Sequence, residues 1–313
     1  MKPGSELTVE QVSLIFKKIG PLDVVRLSGG EPFLRQDFLE LAQAVDNASQ
    51  PSVLHITTNG SFPDRILDFA SQFPRKKNLR FMISFDGLEA EHDANRGKDV
   101  TFDLAEKSVR WLAKLKHTGL AVSINHTVIS EESMKNHEAL CERFEPLGVD
   151  VHVVLAYSDS AMYGAKRFGT QANDLITNGY PLHPKLKDAD TIGFVKMLME
   201  NLPRLKDRNL RWGKRYYLQG LLARLEGQEH PMPHPGCVAL RSHIRLLPDG
   251  SVPVCQFNTE KIGNLATHSF EEVWSNAKTS EARDWVDNCK GCWAECEVMP
   301  SAIYTGDLFG FKR

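Results

Sequence analysis

Val24-Val25-Arg26-Leu27-Ser28-Gly29-Gly30-Glu31-Pro32 is the stretch on which the fold turns. Val24, Val25 and Leu27 suit a short strand. The two glycines after it let the backbone come close to a ligand and leave its N–H and C=O groups available. Pro32 suits the start of a helix, and Leu34, Phe38, Leu41 and Val45 then follow at helical spacing. A tight strand-to-helix turn and a ligand-binding turn both account for the segment.

The same alternation runs on either side. Upstream, Thr8 and Gln11 fit a capping box, Val12, Ile15, Phe16 and Ile19 form one apolar face, and Gly20-Pro21 stops the helix. Downstream, Val53 to Thr57 reads as a strand ending at Asn59-Gly60, and Ile66, Leu67, Phe69 and Ala70 as a helix. Leu79 to Phe85 is a strand ending at Asp86-Gly87, followed by a helix through Ala105, Val109 and Leu112 that Gly119 closes. Leu120 to Ile129 is a strand, Glu131 to Phe144 a helix and Val149 to Ala156 a last strand. Strands alternating with helices predict a parallel sheet of βαβ units. The polar and glycine-containing motifs all sit at the C-terminal ends of strands, the edge where such sheets build sites.

The rhythm breaks after residue 156. Tyr157 to Tyr180 reads as loop, Ile192 to Leu202 and Tyr216 to Leu225 as helices, and Pro231, Pro233 and Pro235 as a link into a cysteine-rich end. The domains expected are 1–156, a linker and helical region 157–236, and 237–313. A formal net charge of -2 gives no nucleic-acid footprint. No apolar run is long enough to span a bilayer, and Met1 to Leu7 lacks the apolar core of a signal peptide. A cytoplasmic protein, with neither nucleic acid nor membrane as partner, is expected.

Five of the six cysteines lie between Cys237 and Cys296. Ile244 to Leu247, the turn Pro248-Asp249-Gly250, and Val252-Pro253-Val254 read as a hairpin that brings Cys237 and Cys255 together. Cys289, Cys292 and Cys296 follow in a tight run, and a C-x-x-C turn points two sulfurs at one metal. The pattern alone leaves an iron–sulfur cluster, a structural zinc site and disulfides open. Cys141 lies apart on an expected helix and reads as a small buried hydrophobe. Phe270, Val273 and Trp274 read as core packing.

These motifs resemble those of radical S-adenosylmethionine (radical SAM) enzymes that carry a C-terminal SPASM domain. Ser28-Gly29-Gly30-Glu31-Pro32 resembles the family's GGEP segment, which holds the amino group of S-adenosylmethionine. Thr57-Thr58-Asn59-Gly60 and Ser84-Phe85-Asp86-Gly87 resemble later strand ends, and His92-Asp93 with Arg96-Gly97 the loop after them. Asn125 stands where the family often places a polar contact to the ribose or carboxylate. The resemblance implies a partial (β/α)6 barrel and a cofactor site at Ser28, Gly29, Gly30, Glu31, Pro32, Thr57, Asn59, Ser84, Asp86 and Asn125, with Ser84 and Asp86 on the ribose side. The spacing of Cys237, Gly250 and Cys255, then Ile262-Gly263-Asn264-Leu265 and Cys289-x-x-Cys292, is similar to a shortened SPASM domain with one auxiliary [4Fe–4S] cluster. Cys237, Cys255, Cys289 and Cys292 are its favoured ligands, with Cys296 the rival.

The family's C-x-x-x-C-x-x-C loop, which holds the cluster that cleaves S-adenosylmethionine to a 5′-deoxyadenosyl radical, has no counterpart before Cys141. The expectation is that the first strand and this loop lie upstream of Met1, that the barrel has an open seam, and that the 313 residues as they stand are inactive in radical chemistry. A relative that lacks the radical cluster and serves as a binding module is the alternative. A peptide or small-molecule substrate and an electron donor such as flavodoxin or ferredoxin complete the reading. The sequence points to no acid/base pair or nucleophile.

Overall fold

The computed structural model describes residues 6–158, 180, 182–205, 207–289 and 291–311. The chain divides into two compact units, one from Leu7 to Leu155 and one that Ala156 opens. Most of the loop expected from Tyr157 to Tyr180 lies outside the described residues.

The first unit runs α1 (Val9–Ile19), β1 (Val24–Leu27), α2 (Phe38–Ser49), β2 (Val53–Thr58), α3 (Pro63–Gln72), β3 (Leu79–Phe85), α4 (Glu89–Arg96), α5 (Thr101–Lys114), β4 (Ala121–Val128), α6 (Glu131–Phe144) and β5 (Asp150–Leu155). The Thr8 capping box forms as expected, with Thr8 Oγ1 accepting from Gln11 N–H and Gln11 Oε1 accepting from Thr8 N–H. All five strands are parallel, in the order β1-β2-β3-β4-β5. Neighbours in the sheet are neighbours in the chain, so right-handed crossovers put every helix on the same face.

Burial follows from that arrangement. Leu54, Ile56, Phe81, Ile83, Phe85 and Ile124 face the helices and are buried. The alternate residues, His55, Thr57, Met82, Ser84, Ser123, Asn125 and Thr127, are half-buried on the other face. Among the described residues β1 and β5 pair on one side only, which leaves the sheet open between them. α4 was not legible in the sequence, because its eight residues carry no apolar stripe and only His92 is buried.

The second unit holds α7 (Asp188–Asn201), α8 (Arg208–Leu225), β6 (Ser251–Pro253), β7 (Lys261–Asn264), α9 (Phe270–Trp274), α10 (Ala277–Asp287), α11 (Glu295–Tyr304) and α12 (Asp307–Gly310). α8 begins eight residues before the expected Tyr216, capped by the Asp207 carboxylate. It is built against Trp293, which is buried and donates its Nε1–H to Tyr217 O at 2.9 Å. The Arg224 guanidinium lies 3.6 Å from the centre of the same ring. A Cβ at Gly220 would come within 1.9 Å of the indole, so only glycine fits there.

The Asp249-Gly250 turn closes as expected, with Leu247 N–H donating to Ser251 O at 2.9 Å, but the strand that β6 pairs with is β7. Gly250 at φ +82° makes the turn, and Leu265 N–H and Asn264 Nδ2 bond to Gly250 O and Asp249 O. Those bonds draw 261–264 onto β6, while Arg245 is drawn off to Glu297. No helix among the described residues is long and apolar enough to cross a membrane.

Burial lowers three histidines of the first unit. His55 and His126 are pushed down to about 3 and His92 down to about 4. All three are neutral in the folded unit but bind a proton near pH 6.5 once unfolded. Stability is therefore complete above about pH 6.5 and falls as the pH drops toward 4. The loss between pH 7 and pH 5 is expected to be about 4–6 kcal/mol, measured as the change in urea unfolding free energy. Equal values at the two pH values would contradict neutral burial.

Candidate cofactor and metal site

The loop after β1 is tied down by one side chain. Glu31 is buried and caps the 3-10 turn Pro32–Leu34 by accepting from Phe33 N–H at 3.0 Å. Its carboxylate also accepts from Thr58 Oγ1–H and Asn59 N–H, both at 2.7 Å. One acidic group thus joins the ends of β1 and β2. Gly29, at φ +154°, and Gly30 are exposed, and a Cβ on either would meet nothing within 4 Å. The backbone there is open to a ligand.

Thr57, Ser84 and Asn125 share the sheet face turned away from the helices. Ser84 and Asn125 are directly opposite in the β3–β4 register, and Thr57 stands opposite Met82. Asn125 Nδ2 reaches Thr127 Oγ1 at 3.4 Å. Asn59 turns its Oδ1 back to Ser61 N–H at 2.9 Å. Asp86 lies past the end of β3, where Arg96 grips it through two contacts of 2.8 and 2.9 Å. Burial lifts its carboxyl above the ordinary range against the pull of Arg96. Asp93 accepts from Val100 and Phe102 N–H and from Thr101 Oγ1–H, which starts α5.

The ten sequence-derived positions therefore divide. Ser28, Gly29 and Gly30 line the open turn, and Thr57, Ser84 and Asn125 offer polar atoms on the sheet face. Glu31, Pro32, Asn59 and Asp86 hold the loops in place. The sequence reading passed over Met82, Ser123, Thr127 and His152, which lie on the same face beside them. Counting every second residue outward from Asn125 would have found Ser123 and Thr127.

In the second unit the five cysteines lie in one region. Cys237 lies near Cys289, Cys255 near Cys237, and Cys292 near both Cys255 and Cys296. None of the five is in a disulfide. Four take backbone donors: Cys237 from Ala239, Cys255 from Phe257 and Asn258, Cys289 from Gly291 and Cys292 from Ala294. Cys296 meets side chains, with Gln256 Oε1 at 3.3 Å and Arg245 Nη2 at 3.7 Å. Burial pushes the Cys237 thiol up to about 11 and raises Cys255, Cys289 and Cys292 as well. Thiols in such a place ionise only with a cation among them, and N–H donors aimed at sulfur are how a protein tunes a thiolate-bound cluster. Among the described residues no three of these side chains stand together closely enough to hold a single metal ion; a set of four or five thiols is the donor chemistry of a cluster, whose separate irons each take one sulfur. Glu297, which the sequence reading missed, is buried beside the cysteines and bound to Arg245.

Cys141 is buried on α6, 3.6 Å from His137 Nε2, and His137 in turn stacks on His126.

Removing the Glu31 carboxylate strands three donors. Glu31→Ala is expected to cost about 2–4 kcal/mol in urea unfolding, given the strength of bonds to a charged acceptor, against under about 1 kcal/mol for Asn59→Ala. Equal losses would show that Glu31 is not the tie.

Residues 1–144 match the radical SAM superfamily, and residues 237–293 match the iron–sulfur cluster-binding SPASM domain. The Fe-coproporphyrin III synthase of Methanosarcina barkeri is 26% identical over 294 residues, which cover 87% of this chain and 67% of that protein. Native anSMEcpe with bound AdoMet superimposes with a TM-score of 0.56 at 17% identity, over 87% of this chain and 72% of that one. Streptococcus suis SuiB bound to its precursor peptide SuiA gives 0.53 at 13% identity, over 87% and 59%. At these identities the solved structures establish the shared fold. Residues 1–144 therefore form a radical SAM domain, and residues 237–293 a SPASM iron–sulfur domain that follows it in the chain.

Proposed function

We propose that this chain binds S-adenosylmethionine at the strand ends of its first unit and one auxiliary [4Fe–4S] cluster in its second, in the service of radical chemistry on a peptide or small-molecule substrate. The observation that carries the cluster is the nearness of five buried or half-buried thiols to one another, with backbone N–H donors on four of them. Those four, Cys237, Cys255, Cys289 and Cys292, are the ligands in this reading, and Cys296 stands beside them on Gln256 and Arg245. S-adenosylmethionine, when bound and reduced by one electron, supplies a 5′-deoxyadenosyl radical. The residues of the chain position it: the Ser28-Gly29-Gly30 backbone takes its polar end, and Thr57, Ser84 and Asn125 hydrogen-bond to it along the sheet face. Glu31 and Asp86 act one step back, by holding the loops.

The electron donor is a flavodoxin or ferredoxin in this reading, and a cysteine set read as metal-binding suits a reducing, cytoplasmic setting. The peptide and the porphyrin-forming relatives support the two substrate classes equally.

Anaerobic reconstitution of the 313-residue chain is expected to load about four irons and matching sulfide. Zinc in place of iron would reject the cluster. With Cys141 the only cysteine ahead of Cys237, the loaded chain is expected to release no 5′-deoxyadenosine under dithionite. Asn125→Ala is expected to weaken S-adenosylmethionine binding about tenfold, some 1.4 kcal/mol, in equilibrium dialysis. Unchanged binding would remove Asn125 from the site.

A further inference from the structure

Arg245 sits at the meeting point of three groups. Its Nε lies 3.0 Å from Glu297 Oε1, and its Nη2 reaches Gln256 Oε1 at 3.4 Å and Cys296 Sγ at 3.7 Å. Cys296 in turn lies 3.3 Å from Gln256 Oε1. Glu297 is 4% exposed, too dry a place for an uncompensated carboxylate. His243 Nδ1 stands 3.2 Å from its other oxygen. The charge of Glu297 acts on Cys237, Cys255, Cys289 and Cys292 alike. An acidic residue beside four metal-binding thiolates opposes the negative charge that such a cluster carries. A hydrophobic residue would fill the same space without that opposition.

We propose that Arg245 and Glu297 are a charge pair that sets the reduction potential of the cluster held by the four cysteines, Arg245 raising it and Glu297 lowering it. This rests on the four-thiolate reading given above. Reduction adds one electron to the cluster, supplied by an external donor, and no proton or bond is exchanged with the pair. A fixed positive charge favours the more negative state and a fixed negative charge disfavours it, and burial leaves both weakly screened. Arg245 also brings an N–H donor to the sulfur beside the cluster, which acts in the same direction. The choice between Cys292 and Cys296 as ligand does not change the sign. Both residues are positioning residues: they act on the cluster through space and need not touch it.

The experiment is an EPR-monitored dithionite titration of the full chain after anaerobic reconstitution, at one fixed pH, with iron content measured on every sample. Arg245→Met is expected to move the midpoint to more negative potential and Glu297→Gln to more positive potential. Each shift is expected to change the oxidised-to-reduced ratio at a fixed potential about tenfold, which is about 59 mV for a one-electron couple. The double variant should return close to the parent, and Arg245→Lys should stay near it. A pair that only braces α11 would lower iron loading in both single variants and leave the midpoint of the loaded fraction where it was. Shifts of the same sign, or midpoints unchanged at full iron loading, overturn the proposal and leave the four-thiolate reading standing. A parent chain that takes up no iron overturns both. Where Arg245→Met fails to load, the upward shift in Glu297→Gln decides, and its absence rejects the pair.

Discussion

The carboxylate of Glu31 is the contact on which the open edge of the first unit depends. A parallel sheet leaves a loop at the end of every strand, and the loop after β1 contains two adjacent glycines, the residues that lose most freedom on ordering. Glu31 compensates by accepting from Phe33, Thr58 and Asn59, so that one buried charge fixes the turn and joins it to the next strand. Asp86 with Arg96, and Asp93 at the start of α5, repeat the device after β3. Acidic side chains past the strand ends thereby brace the edge. Of the small and neutral residues, Gly29 and Gly30 are left exposed, and Ser84 and Asn125 lie half-buried on the sheet face.

The second unit solves a different problem. Its strands are short, and its core is organised around Trp293, with Gly220 admitting the ring and Arg224 lying over it. The residues next to that tryptophan in the chain are Cys292 and, three further on, Cys296. The same packing that anchors α8 therefore positions the cysteine run. Burial raises the thiols, so they stay protonated unless a cation lies among them.

Most of the first unit was legible in the sequence. Its strands alternate cleanly and its helices carry apolar stripes, because each element buries one face against a single neighbouring layer. The motif positions at the strand ends were legible for the same reason: glycines and short polar residues stand out after apolar runs. Helix α4 was hidden because its polar surface carries no period. The pairing of β6 with β7 was hidden because the Asp249-Gly250 turn signals a hairpin without saying which flanking segment wins the hydrogen bonds.

By itself, then, the sequence determined the class of fold, the order of its strands, the edge that carries the motifs and the five cysteines that gather in the second unit. Those features are written in local periodicity and spacing, which neighbouring residues enforce. Tertiary structure alone decided the roles within each group. Glu31 and Asp86 became braces because donors from residues 27 and 10 positions away closed on them. Cys296 became distinct from its neighbours because Gln256 and Arg245 met it from 40 and 51 positions away. Hydrogen bonds of that reach depend on the packing of whole elements, and no local pattern encodes them.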